Sequence, residues 1–155
     1  MTRRPEAPMD DTLDTIDRYP YVVPIATRWS DNDVYGHVNN AIYYSYFDTA
    51  ANLVLIREGG LDPASSAVIA LVVESHCRYR RPLAYPEPIR AGVRVDRLGQ
   101  RAVTWGIAIF DAVDDRAAAS GTFVHVFVDR VHRRAVAMPE PIRAALQRLQ
   151  PPGAG

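Results

Sequence analysis

A chain of 155 residues, 48% of them apolar and 23% charged, has the size and composition of one compact globular domain. Its eighteen basic residues balance eighteen acidic ones, so the net charge gives no reason to expect a nucleic-acid or anionic membrane partner. Cys77 is the only cysteine, the longest apolar runs (67–73 among them) are too short to span a bilayer, and the N-terminus lacks the apolar stretch of a secretory signal; a cytoplasmic location is expected.

In chain order, residues 1–18 are rich in Pro, Asp, Arg and Thr and predict a mobile tail, because so few apolar side chains cannot offset the entropy of ordering. Residues 19–150 then form a single domain. A strand is expected from Tyr21 to Ser30, ended by the turn-forming run Ser30-Asp31-Asn32-Asp33. From Asn39 to Glu58, apolar residues recur at three- and four-residue intervals (Ile42, Tyr46, Ala50, Leu53, Ile56), and Gly59-Gly60 supplies a stop. Tyr43, Phe47 and Val54 widen the stripe, so this long helix should be largely buried. Four strands follow, over 67–79, 89–98, 101–111 and 118–129, with Gly99-Gln100 and Asp114-Asp115 at hairpin turns. A short helix over 141–149 and a frayed tail, 151–155, close the chain. One buried helix followed by consecutive strands predicts an α+β domain in which a five-stranded antiparallel sheet wraps a central helix, the hotdog arrangement. Its edge strands need covering, and a homodimer or a dimer of dimers would cover them.

The stretch richest in chemical groups is Asp31-Asn32-Asp33-Val34-Tyr35-Gly36-His37-Val38-Asn39-Asn40, between the first strand and the buried helix. A helix N-terminus offers unpaired N–H groups and partial positive charge, which can polarise a carbonyl and stabilise an oxyanion. A carboxylate beside it, Asp33, could attack an acyl carbon or deprotonate an attacking water. The plain alternative is that Asp33 and Asn39 only cap the helix.

The pattern Asp31-x-Asp33-x-x-Gly36-His37-Val38-Asn39-Asn40-x-x-Tyr43 resembles the signature of the 4-hydroxybenzoyl-CoA thioesterase family of hotdog enzymes. Tyr79-Arg80-Arg81-Pro82-Leu83 and the stretch from Val128 to Pro139 resemble further family segments, so about residues 20 to 148 are covered. The resemblance implies hydrolysis of an acyl-CoA, with Asp33 as the catalytic carboxylate and the backbone N–H at Asn40 polarising the thioester carbonyl. It implies that Gly36 permits a sharp approach and that Tyr35, His37, Asn39 and Tyr43 line or support the pocket. Arg101, with Arg97 nearby, stands where family members hold the coenzyme A phosphates; solvated turn residues are the alternative. Coenzyme A enters as part of the substrate, and no separate cofactor is expected. The loop Tyr85-Pro86-Glu87-Pro88 departs from the Gly-Asp pair of many relatives.

Other readings carry less. His37, His76, His125 and His132 show no helical ligand spacing, so no metal is expected. No serine-hydrolase elbow or phosphate-binding glycine loop is present. A non-catalytic hotdog acyl-binding or dimeric assembly module is the alternative of a different class, followed by an acyl carrier protein thioesterase or a hotdog dehydratase.

Overall fold

The computed structural model describes residues 14–151. Its elements are β1 (Tyr21–Ile25), α1 (Ile42–Arg57), β2 (Val68–Tyr79), β3 (Ile89–Leu98), β4 (Ala102–Asp111), β5 (Ala119–Asp129) and α2 (Glu140–Gln147). The first strand is shorter than expected, because the chain turns through a single 3-10 turn, Trp29–Asp31, before the loop. Helix α1 starts at Ile42 rather than Asn39, since the Asn39 side chain accepts the Ala41 N–H and stays outside the helix.

The antiparallel strands lie in the order β1-β3-β4-β5-β2 in a single sheet. The hairpins β3–β4 and β4–β5 are as expected, but β2 lies beyond β5 at the far edge, so the strands do not form a simple meander. One sheet face carries Val93, Val95, Val103, Trp105, Ile107, Ile109, Phe123 and Phe127, and packs on α1 in the main core. The helix presents Tyr43, Tyr46, Phe47, Ala50, Ala51, Val54 and Leu55 to that core, a face rotated from the one expected, which leaves Ile56 exposed. This is the hotdog fold, a five-stranded antiparallel sheet around one long helix.

The first 13 residues of the expected tail lie outside the described residues, as do residues 152–155. Residues 14–18, placed in that tail by composition, instead join the domain on the sheet's other face. Asp14 accepts hydrogen bonds from Tyr19 Oη (2.9 Å), Arg80 Nη2 (2.6 Å) and Ser120 Oγ (2.8 Å). The Tyr19 ring lies flat over Gly92, where a Cβ would come within 2.8 Å of it, and under the Arg94 guanidinium at 4.7 Å. These long-range contacts repay the ordering of a segment that has little apolar surface of its own. The neighbours His76 and Cys77 point to opposite faces of β2, as strand alternation requires: His76 borders the Asp14 cleft, and Cys77 packs against the core.

His125 is 1% exposed on the core face and its Nδ1 accepts the Trp105 Nε1–H at 3.0 Å. Burial pushes the imidazole down to about 4 from 6.5. Because the unfolded chain binds the proton more readily, the contribution of neutral His125 is complete above pH 6.5 and is lost as the pH falls toward 4, by about 3 kcal/mol in all. Denaturant unfolding across that window should show an acid limb that His125→Leu flattens, although Leu costs stability at neutral pH. Parallel decline of the two proteins would exclude His125 as the cause.

Candidate active site

The loop from Arg28 to Ala41 crosses from the end of β1 to the mouth of α1, and hydrogen bonds fix it at both ends. Val38 N–H donates to the Leu83 carbonyl (2.8 Å), Tyr85 N–H donates to Asn32 Oδ1 (3.0 Å), and Asn39 N–H donates to the Asp31 carbonyl (2.9 Å). Within the loop, Asp33 N–H donates to the His37 carbonyl (2.9 Å) and Gly36 N–H to the Asp33 carbonyl (3.0 Å), closing a tight turn. Gly36 has φ +85°, a conformation open to glycine and strained for other residues, which is why glycine suits the turn.

The two acids of the motif have opposite environments. Asp31 is fully buried: Oδ2 accepts the Tyr46 hydroxyl (2.7 Å) and the Arg28 N–H (3.0 Å), and Oδ1 accepts Arg28 Nε (3.1 Å). Asp33 is half-buried. Its Oδ1 accepts the Tyr35 N–H at 2.8 Å, whereas Oδ2 has only a long 3.4 Å contact from Asn39 Nδ2. One carboxylate oxygen of Asp33 is therefore held and the other is nearly uncommitted.

The backbone donors at the helix entrance divide in the same way. Val38, Asn39, Ala41 and Ile42 N–H groups all have acceptors, at 2.8, 2.9, 2.9 and 2.9 Å. Among the described residues, the N–H of Asn40 between them donates to no protein acceptor. It stands at the start of α1, where the helix's partial positive charge is concentrated. The Asn40 carbonyl accepts the Tyr79 hydroxyl at 2.7 Å, tying the end of β2 to this entrance.

The motif residues divide between two clefts. Asp33, Tyr35, Gly36 and Asn39, with Trp29 and Val34, line one of about 650 Å³. His37, Asn40 and Tyr43, with Tyr79, Arg81 and Pro82, line a second of about 300 Å³. Within one chain, Asp33 thus lines one cleft and Asn40 the other, with Asn39 between them in the sequence and hydrogen-bonded to Asp33. Tyr43 is 3% exposed, its ring edge-on to Tyr79 at 5.1 Å, and burial pushes its phenol up to about 12.

Arg97 and Arg101 are not brought to this end. The β3–β4 turn that carries them packs toward α2, where Arg143 Nη2 donates to the Gly99 carbonyl and Met138 N–H donates to the Gln100 carbonyl. Asp33 lies beyond the other end of β3, a strand length of roughly 30 Å away. Arg81, on the second cleft, is engaged with Asp111 at 2.6 Å and with Asp114. In the sequence, Asp31 and Tyr79 stand in the family-like segments without a role of their own, Arg28 goes unremarked, and Tyr46 is read only as core. The Asp31-x-Asp33 doublet was the available signal, since two acids so close invite different fates.

A model of the thioesterase-like superfamily matches residues 27–146. No curated protein matches the chain by sequence. The crystal structure of the PA5185 protein from Pseudomonas aeruginosa strain PAO1 superposes with a TM-score of 0.88 at 49% identity, covering 90% of this chain and 97% of that one. The PA2801 protein of Pseudomonas aeruginosa, proposed in its name to be a thioesterase, gives 0.75 at 27% identity over 82% and 98% of the two chains. A 1,4-dihydroxy-2-naphthoyl-CoA thioesterase from Synechocystis, 14% identical, shares the fold with a TM-score of 0.74 over 83% and 96%. With the motif loop, α1 and strands β2 to β5 all inside the matched region, the chain belongs to the thioesterase-like superfamily, as a thioester hydrolase.

Proposed function

We propose that the protein hydrolyses an acyl-CoA to the free carboxylic acid and coenzyme A, with Asp33 as the reacting carboxylate and the Asn40 N–H as the oxyanion donor. The observation that carries this reading is the pair of uncommitted groups flanking one loop: Asp33 Oδ2, and the Asn40 N–H at the start of α1. A thioester carbonyl oxygen facing that N–H would meet the helix's positive end as negative charge develops on it. Oδ2 could then attack the carbonyl carbon, expelling the coenzyme A thiolate and leaving a mixed anhydride for water to open. Alternatively it could take a proton from the water that attacks. Tyr35 and Asn39 would orient the carboxylate, and His37 and Tyr43 would border the acyl group.

The unit that acts is proposed to be a homodimer. Strand β2 is an edge of eleven paired residues on its β5 side, with Val72, Val73 and Tyr79 exposed and no proline along it to stop a further strand from pairing. Trp29, Val34 and Tyr35 around Asp33 are 84%, 95% and 84% exposed, an apolar patch that a second copy would cover. Antiparallel pairing of two β2 edges would carry the second copy's β3–β4 turn to the same end of the joint sheet as the first copy's Asp33. Arg97 and Arg101 could then grip the coenzyme A phosphates across the interface, which one chain alone does not allow.

Purified protein should release free thiol from members of an acyl-CoA panel, and Asp33→Asn should lower turnover at least about 100-fold with the circular dichroism spectrum unchanged; near-normal turnover in that variant would reject Asp33. A single turnover in labelled water separates the two roles, because attack by Asp33 first places an enzyme oxygen in the acid. Light scattering should give a multiple of the 17.2 kDa chain mass, and Arg101→Ala should raise KM for acyl-CoA while sparing the acyl-pantetheine analogue; equal effects on both would remove Arg101 from phosphate binding.

A further inference from the structure

The thioesterase reading assigns no task to Asp31, yet among the described residues it is the one fully buried acid. A carboxylate taken out of water is costly unless hydrogen bonds replace its hydration, and Asp31 has three: from the Tyr46 hydroxyl, the Arg28 N–H and Arg28 Nε. Those donors come from two different elements. Arg28 stands beyond the end of β1, and Tyr46 is inside α1, on its second turn. Asp31 therefore ties the strand side of the loop to the body of the helix, and its own carbonyl accepts the Asn39 N–H.

From Asn39 the connection reaches both proposed reacting groups. Asn39 Nδ2 points to Asp33 Oδ2 at 3.4 Å, Asn39 Oδ1 accepts the Ala41 N–H at 2.9 Å, and Asn40 follows directly in the chain. We infer that the buried Asp31–Tyr46 hydrogen bond is a positioning device that fixes Asn39, and through it sets the Asp33 carboxylate relative to the Asn40 N–H at the mouth of α1. The inference rests on the thioesterase reading for its catalytic consequence, although the loop-fixing part stands on geometry alone. The Tyr46 phenol is suited to the task. Burial, and then the hydrogen bond to Asp31, push its pKa well above the usual tyrosine value, so it remains a proton donor.

Position matters here because a loop, not a regular element, carries Asp33, and a displacement on the order of 1 Å costs about 100-fold in rate. Tyr46→Phe removes a single hydroxyl and keeps the ring that packs in the core, so it tests the bond with the least damage to the fold. Asp31→Asn is the harsher partner variant, and Ile107→Val, a core truncation on β4 away from the loop, controls for general loss of stability.

Two measurements decide the matter. Amide hydrogen exchange at Val38, Asn39 and Ala41 should quicken at least ten-fold in Tyr46→Phe while β4 amides stay within two-fold; Ile107→Val should leave the loop amides at their original rates. Thiol release by Tyr46→Phe should show kcat down about ten-fold with KM within two-fold, whereas Ile107→Val retains kcat. Unchanged loop exchange in Tyr46→Phe, or equal quickening of loop and β4, overturns the positioning role. Quickened loop exchange with an unchanged kcat overturns its link to catalysis. If the unmodified protein releases no thiol from any acyl-CoA, the thioesterase reading fails, and the exchange comparison still decides whether the bond fixes the loop.

Discussion

Helix α1 is enclosed by the sheet, with Phe47, Ala50, Ala51, Val54 and Leu55 all at 0% exposure, and the rest of the architecture follows from that burial. Two alanines in mid-helix let the strands approach closely, while Phe47 fills the space beside them; removing such a ring from a core costs about 3–5 kcal/mol. The helix's C-terminal end is sealed against α2 by Gly59, where a Cβ would come within 2.7 Å of the Leu55 carbonyl and 3.1 Å of Ile142 Cγ1. Its N-terminal end opens at the edge of the domain. A polarising helix terminus therefore faces a place that a substrate can reach, and the loop that fills this opening carries the motif.

That loop separates two carboxylates of the same chemical type only two residues apart. Asp31 points inward and is saturated with donors, so its charge is spent on structure. Asp33 lines a cleft and, among the described residues, keeps an oxygen with a single long contact, which is why the proposed mechanism rests on it. The Asn40 N–H stands out for the same reason among neighbours that are all engaged. Reactivity here is what remains after the fold has satisfied its own polar groups.

The sheet's two edges are equally unlike. β1 is five residues long, with an exposed Pro24 that cannot donate a ladder hydrogen bond, and so resists further pairing. β2 runs for twelve residues with exposed Val72 and Val73 and no proline, and so invites it despite a bulge at Val72/Glu74. The proposed assembly through β2 would cover the bare Trp29, Val34 and Tyr35 and bridge the strand length separating Asp33 from Arg97 and Arg101 within one chain.

Much was legible in the sequence because local patterns carry it. The alternation of Val103, Trp105, Ile107 and Ile109 set their common face, the β3 limits were read to the residue, and the Asp31 to Tyr43 spacing pointed to the family. Local patterns failed where a distant partner decided the outcome. Asp14 to Arg18 looked like tail because Arg80 and Ser120, which hold Asp14, are far along the chain. The face of α1 was misjudged because tyrosines and leucines are apolar all round the helix, and only the sheet selects which are covered. The sequence by itself determined the two acids and the helix that follows them. Tertiary structure decided which acid is buried and saturated and which keeps an oxygen with a single long contact, because hydrogen-bond satisfaction depends on donors such as Tyr46 that folding alone brings within reach.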